Sequence, residues 1–511
     1  MQQRVETWEV RKRAVASPTG VVAAQHWQAA EAGAAMLRRG GNAIDAAVAC
    51  AFALAVCEPW MSGLGGSGYA VVWSADEGRG AAIDFQGVLA QGIDHRDYPL
   101  DPEIPDAIMG FPGVKDNRNV VGYGAIAVPG AVRGLSDLLG RYGKLGLDTV
   151  LEPAIALAEA GLPVDWHASL MIALAMKHLR SDPVAAAVYL PDGCPPEPPC
   201  RLPVGALAET LKRLAAAGPD DFYAGALAER IAADLEAGGS PIRIEDLAAY
   251  RSIWLDTLSG SHRGAELHTA GETSGGPRLL EFLAHSAATL DPARGIGVET
   301  WQVYADGLEK AWTTHKRKIG QLPPEHGCTT HLSSCDGAGN MVALTYTLLD
   351  RFGARVMLPE TGIVMNNAVS YFDPRPGYPT SMAGGKRINA SNMCPTVCVR
   401  DGEAYFAIGA SGANRIVPAV AQIAGYILDY GLGLEDAFHV PRVDASARGS
   451  IQLDPRMGEA AINALGARHA LEIAALAVFP KLYACPQGVM RADGICYGMA
   501  DPSQPIAGAA A

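Results

Sequence analysis

Apolar residues recur at helical spacing from Gln25 to Leu37 and again from Ala43 to Val56, with Gly40-Gly41 separating the runs and Asn42 placed to cap the second. The pattern predicts two buried helices in tandem. Tyr69 to Trp73 and Ala81 to Phe85 read as short strands flanking a charged turn. From Ala131 to about Leu235 the spacing is mostly helical, interrupted by a Pro- and Cys-rich loop from Pro191 to Pro203. Leu332 to Asp336 and Asn340 to Leu348 then form strand-like runs around a Gly-containing turn, a β-hairpin. Strands are expected to dominate as far as about Ile408, and helix to return from Ile416 to Tyr430. There is no internal repeat, and the Ala-rich tail is expected to fray.

Composition narrows the class. With 511 residues and 49% hydrophobic content the chain can bury a large core. A net charge of -13 and a pI of 5.4 argue against nucleic acid or an anionic membrane as partner. The apolar run from Ala43 to Cys57 contains Asp45 and falls short of the roughly 20 residues a membrane span needs, so it reads as a core helix. The first residues lack the apolar centre of a secretory signal, which makes the cytoplasm the expected location. The ten cysteines are scattered, and Cys194 with Cys200 or Cys394 with Cys398 make no paired zinc pattern. They read as reduced and mostly buried thiols, and neither a metal nor a cofactor is expected.

The chemistry centres on Cys328-Thr329-Thr330-His331, which opens the hairpin. Backbone cleavage before Thr329 would give one residue both a hydroxyl nucleophile and a free amine to serve as its base. An α-amine titrates near about 7.7 to 8.0, close to working pH, whereas the amide nitrogen of an uncut chain has no basicity. On the residues alone, Thr-Thr is also ordinary β-branched strand material, and Cys328 is an alternative nucleophile. The Gly-rich turn Gly63-Leu64-Gly65-Gly66-Ser67-Gly68 lacks the Lys-Ser/Thr of a phosphate-binding loop, so close backbone packing accounts for it better.

The blocks around this hairpin occur in a set order: Gly40 to Ala47, Glu58 to Gly66, Val128 to Leu135, Phe222 to Gly225, Asp246 to Tyr250, Thr273 to Gly276, Thr329 to His331, Leu344 to Leu348, Gly362 to Asn367, Gly409 to Arg415 and Asp429 to Gly431. As an ordered set they resemble the γ-glutamyltranspeptidase family of N-terminal nucleophile hydrolases. The resemblance implies an α+β fold, a four-layer αββα sandwich of two antiparallel sheets covered by helices. It implies self-cleavage of a proenzyme between Cys328 and Thr329. Residues 1–328 would form a large α subunit and 329–511 a small β subunit, together one compact unit. The heterodimer is the expected assembly, with a dimer of heterodimers as a further step it allows. It also implies roles: Thr329 as nucleophile and base, Thr347 as the second threonine that contacts it, and Gly412 with Ala413 as the oxyanion turn. Ala413 replaces a second glycine, which keeps the amide N–H but restricts the backbone, so a slightly reshaped turn is expected.

The substrate grip departs from the family. The arginine that holds a glutamate α-carboxylate falls on Gln86, the asparagine after the second threonine on Leu349, and the two readers of the α-amine on Ala368 and Tyr371. Of the paired serines, the first is Ser391 and the second is Asn392. Losing both charged readers removes the strong, charge-assisted hydrogen bonds to a zwitterion. A small amide substrate other than a γ-glutamyl compound is therefore expected, and the nearby residues resemble the branch that includes oxamate amidohydrolases. Arg351 and Lys386-Arg387 are candidates to bind an anionic acyl group. Hydrolysis is expected over acyl transfer, since no acceptor site is marked. A γ-glutamyl enzyme with a relocated grip and a non-catalytic binding protein are the alternatives.

Overall fold

In a computed structural model of the chain, the strand Met341–Leu349 is buried along its whole length. Its residues alternate between two cores: Val342, Leu344, Tyr346 and Leu348 join one apolar cluster, Met341 and Ala343 another. This period of two places the strand inside a layered structure, with helices on one face and a second sheet on the other. The structure describes residues 10–106, 110–319, 328–446, 449–479, 481–504 and 507–511.

Among these, two seven-stranded antiparallel sheets make the centre. The first runs in the order Ala507–Ala510, Gly20–Ala24, Cys328–Asp336, Met341–Leu349, Ser67–Ser74, Arg79–Phe85 and Ile253–Leu255. The second runs Val15–Ser17, Ile495–Ala500, Cys485–Ala492, Glu403–Ser411, Thr396–Arg400, Ala265–Thr269 and Leu258–His262. Helices Trp27–Arg38, Ala43–Cys57 and Ala131–Tyr142 pack on the outer face of the first sheet, with Leu147–Ala160 against Ala43–Cys57. Gly276–Thr289 and Ile416–Tyr430 cover the second, with Val298–Ile319 packed on Gly276–Thr289. The result is the αββα sandwich.

The tandem helices form where their spacing predicts. Asn42 accepts from the amides of Ile44 and Asp45, and Asp45 returns the favour to the Asn42 amide at 2.7 Å. Such a capping box contributes about 1 kcal/mol. Every residue from Ala43 to Cys57 is buried, as a core helix requires. None of the described helices is long and apolar enough to cross a membrane.

Three expectations change. The Ala-rich tail does not fray: Ala507–Ala510 pairs with Gly20–Ala24, and the Ser17 and Thr19 hydroxyls each donate to the Ala511 carbonyl at 2.9 Å. Small side chains let this edge strand lie flat against the Trp27–Arg38 helix, which composition alone does not reveal. Beyond Leu349 the chain does not stay extended, and most of 350–395 is irregular, with one short 3₁₀ turn at Ala368–Tyr371. Isolated bridges, backbone turns and polar side chains rather than long ladders hold it, as where Asn366 Nδ2 donates to the carbonyls of Gly65 at 2.7 Å and Ala127 at 2.9 Å. Three strands between Ile253 and Thr269 also escape the periodicity reading, because they are short and partly exposed.

Candidate active site

Thr329 lies in the second position of Cys328–Asp336, where the ladder is broken. Cys328 pairs with Leu349 and Thr330 with Tyr346, so the register shifts there: Thr329 alone faces Thr347 and Leu348, and the extra residue of the bulge lies on Met341–Leu349. Bulges re-aim side chains and recur beside active sites. Across the ladder Leu349 has φ +84, uncommon for a non-glycine residue, and its amide donates to Thr347 Oγ1 at 2.7 Å. The expected scissile bond therefore sits where both strands depart from regular geometry. Thr329 is 4% exposed and Thr347 is buried on the neighbouring strand. The side chain of Cys328 lies outside the described residues.

His331, two residues on, is not available as a base. Its ring nitrogens are 2.8 Å from Thr345 Oγ1 and 2.9 Å from Ser333 Oγ, and burial pushes its pKa down to about 3. Its ring instead marks a close approach of the sheets, because a Cβ at Gly409 would lie 2.2 Å from His331 Cε1. Only glycine fits there. This contact brings Glu403–Ser411, which runs directly into Gly412-Ala413, against the Thr329 strand.

Gly412 has φ +136 and Ala413 φ +53. The alanine thus adopts a left-handed conformation, at a strain of about 1–2 kcal/mol. Both flanks of the turn are anchored by buried polar chains. On one side Asn392 Nδ2 donates to Asn414 Oδ1 at 2.7 Å, and Asn392 Oδ1 accepts from Arg278 at 2.7 Å. Arg278 also donates to the Ser391 carbonyl at 2.7 Å, and its guanidinium lies over the Trp312 ring. Burial pulls this guanidinium down to about 10. On the other side Lys481 Nζ lies 3.4 Å from Ser411 Oγ. With its amide oriented to satisfy both ends, Gln25 accepts from that hydroxyl and donates to Glu58 Oε2 at 3.2 Å and Oε1 at 3.3 Å. Glu58 Oε2 in turn accepts from Thr330 Oγ1 at 2.9 Å.

Glu58, Gln25 and Arg278 carry no assignment in the sequence reading. Glu58 had a visible signal, being an acid at the end of a long, predominantly apolar helical run. Its partners come from residues 25, 330 and 411, which no local spacing connects. Burial raises its pKa to about 8, against the opposing influence of the Thr330 hydrogen bond and the Lys481 charge, with Asp165 adding to the rise. His26 and His167 are both pushed down to about 4, chiefly by burial, and Lys481 and Arg351 also depress His167.

The positions matched to the family's glutamate grip do converge, but they are filled. Leu349, Ala368 and Tyr371 belong to the apolar cluster between the sheets, together with Met393. Gln86 is fully buried, with Nε2 3.4 Å from Met393 Sδ and its carbonyl accepting from Tyr250 OH at 2.9 Å. Ser391 is buried, and its hydroxyl accepts from the Met393 amide at 3.2 Å. Of the three basic candidates, Arg387 is engaged by Asp84 at 3.3 Å and the Gln86 carbonyl at 3.0 Å, and Lys386 Nζ by the carbonyls of Pro379 and Ser381 at 2.6 and 2.7 Å. These two support local structure. Arg351 differs, with a buried Nε that has no hydrogen-bond partner.

Comparison with known proteins agrees with this architecture. Residues 29–321 and 305–511 match the family described as gamma-glutamyltranspeptidase. The chain is 35% identical to an acylase ACY 1 proenzyme of Pseudomonas sp. (strain SE83), covering 91% of this chain and 89% of that one. It is 32% identical to a glutathione hydrolase proenzyme of Escherichia coli (strain K12), covering 84% and 81%. The crystal structure of cephalosporin acylase from Bacillus halodurans superposes with a TM-score of 0.83 at 24% identity, covering 100% of this chain and 99% of that one, which shows the shared fold.

Two outcomes are expected. Because Glu58 has a higher pKa folded than unfolded, its contribution to stability is full below the usual carboxylate range and is lost as pH rises through about 8. Thermal unfolding between about pH 6 and about pH 9 is expected to show a steeper fall for wild type than for Glu58→Gln. Ala413→Gly is expected to keep the turn and change unfolding free energy by no more than about 1 kcal/mol in denaturant titration, since relief of strain offsets added chain entropy.

Proposed function

The chain belongs to the gamma-glutamyltranspeptidase family, and from that premise we propose that it is a self-processing N-terminal threonine amidohydrolase acting on a small amide that is not a γ-glutamyl compound. The observation that carries the reading is the bulge: Thr329, at the head of a central strand, stands opposite the bulged pair Thr347-Leu348, on the strand packed against the one that leads into Gly412-Ala413.

The chemistry runs in two rounds through one hydroxyl. Thr329 Oγ1 attacks the carbonyl carbon of Cys328, the C–N bond breaks, and the acyl group moves from nitrogen to oxygen. Water opens the ester, freeing the Cys328 carboxylate and the Thr329 amine. That amine then takes the hydroxyl proton as Thr329 attacks the substrate carbonyl. The amides of Gly412 and Ala413 would receive the oxyanion, and such a donor contributes about 3 to 4 kcal/mol. The amine returns the proton to the leaving nitrogen, and water releases the acid.

Cleavage before Thr329 would not let the pieces separate. Both sheets interleave strands from before and after that bond, with Cys328–Asp336 hydrogen-bonded to Gly20–Ala24 on one side and Met341–Leu349 on the other. The 1–328 and 329–511 subunits would remain one heterodimer. The acylase name of a 35% identical relative supports an acyl group other than glutamate. The burial of Gln86, Leu349, Ala368 and Tyr371 supports a small one. Oxamate, an amide with one carboxylate and no amine, is the first to test, with Arg351 as the candidate reader of its charge. The glutathione hydrolase name of another relative favours the second reading, a γ-glutamyl enzyme with a relocated grip.

Intact mass under denaturing conditions is expected to give two chains, the smaller beginning at Thr329, and Thr329→Ala to give one. Two chains in that variant would sink the nucleophile assignment, and a wild type that stays whole would leave a binding protein as the better reading. Ammonia release from oxamate is expected, with no release of aniline from a γ-glutamyl anilide. Gln86→Arg alone is expected not to create γ-glutamyl turnover, since nothing reads the amine; measurable turnover would mean the pocket lies elsewhere.

A further inference from the structure

We propose that Glu58 is a positioning residue for the Thr329 chemistry, holding the nucleophile strand and the oxyanion turn in register through a single buried carboxyl group. The inference rests on Thr329 being the nucleophile. It goes beyond that reading by assigning a role to a residue outside the hairpin and the turn.

The helix Ala43–Cys57 does not need this side chain, because the capping contact at Glu58 is made by its backbone N–H to the Leu54 carbonyl. The helix also disfavours an acid there, since its C-terminal end carries partial negative charge. The side chain is 2% exposed, and an ionised carboxylate so buried is costly. What the carboxyl group does make are contacts to two separate pieces of the candidate site. Thr330, adjacent to Thr329, donates to Oε2 at 2.9 Å. Gln25 donates to both oxygens and accepts from Ser411, the residue just before Gly412.

The resulting chain, Thr330 to Glu58 to Gln25 to Ser411, crosses between the proposed subunits twice. Its middle comes from the large subunit and its ends from the small one. In the precursor this bond fixes the strand that presents Thr329 Oγ1 to the Cys328 carbonyl, and once the bond before Thr329 is cut the Thr330 hydroxyl still ties the new terminus to the large subunit. A misplacement of reacting groups by about 1 Å can reduce rate about hundredfold, so a tether at this point acts on rate.

Self-cleavage supplies an assay that needs no external substrate. Full-length precursor made by cell-free synthesis is followed by denaturing gel and mass, giving a first-order rate, while circular dichroism reports folding of each precursor. Glu58→Ala is expected to slow cleavage about hundredfold, and Glu58→Gln, which keeps an acceptor for Thr330, to restore it to within about threefold of wild type. Thr330→Val is expected to slow cleavage comparably, and the double variant Glu58→Ala with Thr330→Val to be no slower than either alone. Cleavage of Glu58→Ala at the wild-type rate, or Glu58→Gln as slow as Glu58→Ala, overturns the proposal. If Glu58→Ala does not fold, Thr330→Val decides, and a wild-type rate there overturns it too. A wild type that never cleaves defeats the proposed function along with this role, whereas cleavage unaffected by these substitutions defeats this role alone.

Discussion

The approach of the two sheets at Gly409 and His331 is the constraint on which the rest depends. A strand of the second sheet lies so close to the Thr329 strand that no Cβ fits between its backbone and the imidazole. That contact sets the height of Glu403–Ser411 over Cys328–Asp336, and so sets where the turn at Gly412-Ala413 emerges. The imidazole can serve as a spacer because burial keeps it neutral and two hydroxyls satisfy its nitrogens. A charged group there would need a counter-ion, and an apolar one would leave Ser333 and Thr345 without partners.

Around this contact the site is framed by polar chains that run through the core. Arg278, Asn392 and Asn414 hold one flank of the turn, and Glu58, Gln25 and Ser411 the other. Each ends on a buried ionisable group whose pKa burial moves toward neutrality: the Glu58 carboxyl upward, the Arg278 guanidinium downward. Such networks specify one arrangement because any other leaves polar atoms unpaired in a low-dielectric interior. The backbone departs from regular geometry in the same places, at the bulge opposite Thr329, at Leu349 and at Ala413. Strained positions persist where the surroundings over-determine them.

The interleaving of strands has a separate consequence. Neither 1–328 nor 329–511 contains either seven-stranded sheet complete, so each depends on the other for its core. The edge strand at Ala507–Ala510 belongs to this arrangement, since it closes the first sheet beside a strand from near the other end of the chain. Small residues suit it there, where a helix packs close.

Sequence by itself determined the elements with strong periodicity: the tandem helices, the hairpin from Leu332 to Leu348 and the helix from Ile416. It also singled out Thr329, Thr347 and Gly412-Ala413, because a short ordered set of motifs carries them. It showed that Gln86, Leu349, Ala368 and Tyr371 depart from the glutamate-binding pattern, but not that these side chains are closed into a packed interior. That was decided by tertiary structure, as were the pairing of the Ala-rich tail, the irregular course of 350–395 and the joining of Glu58 to Thr330 and Ser411. The physical reason is common to all of them. Periodicity and capping act over a few residues, whereas burial, hydrogen-bond partners and shifted protonation come from groups hundreds of positions apart that meet only when the two sheets close.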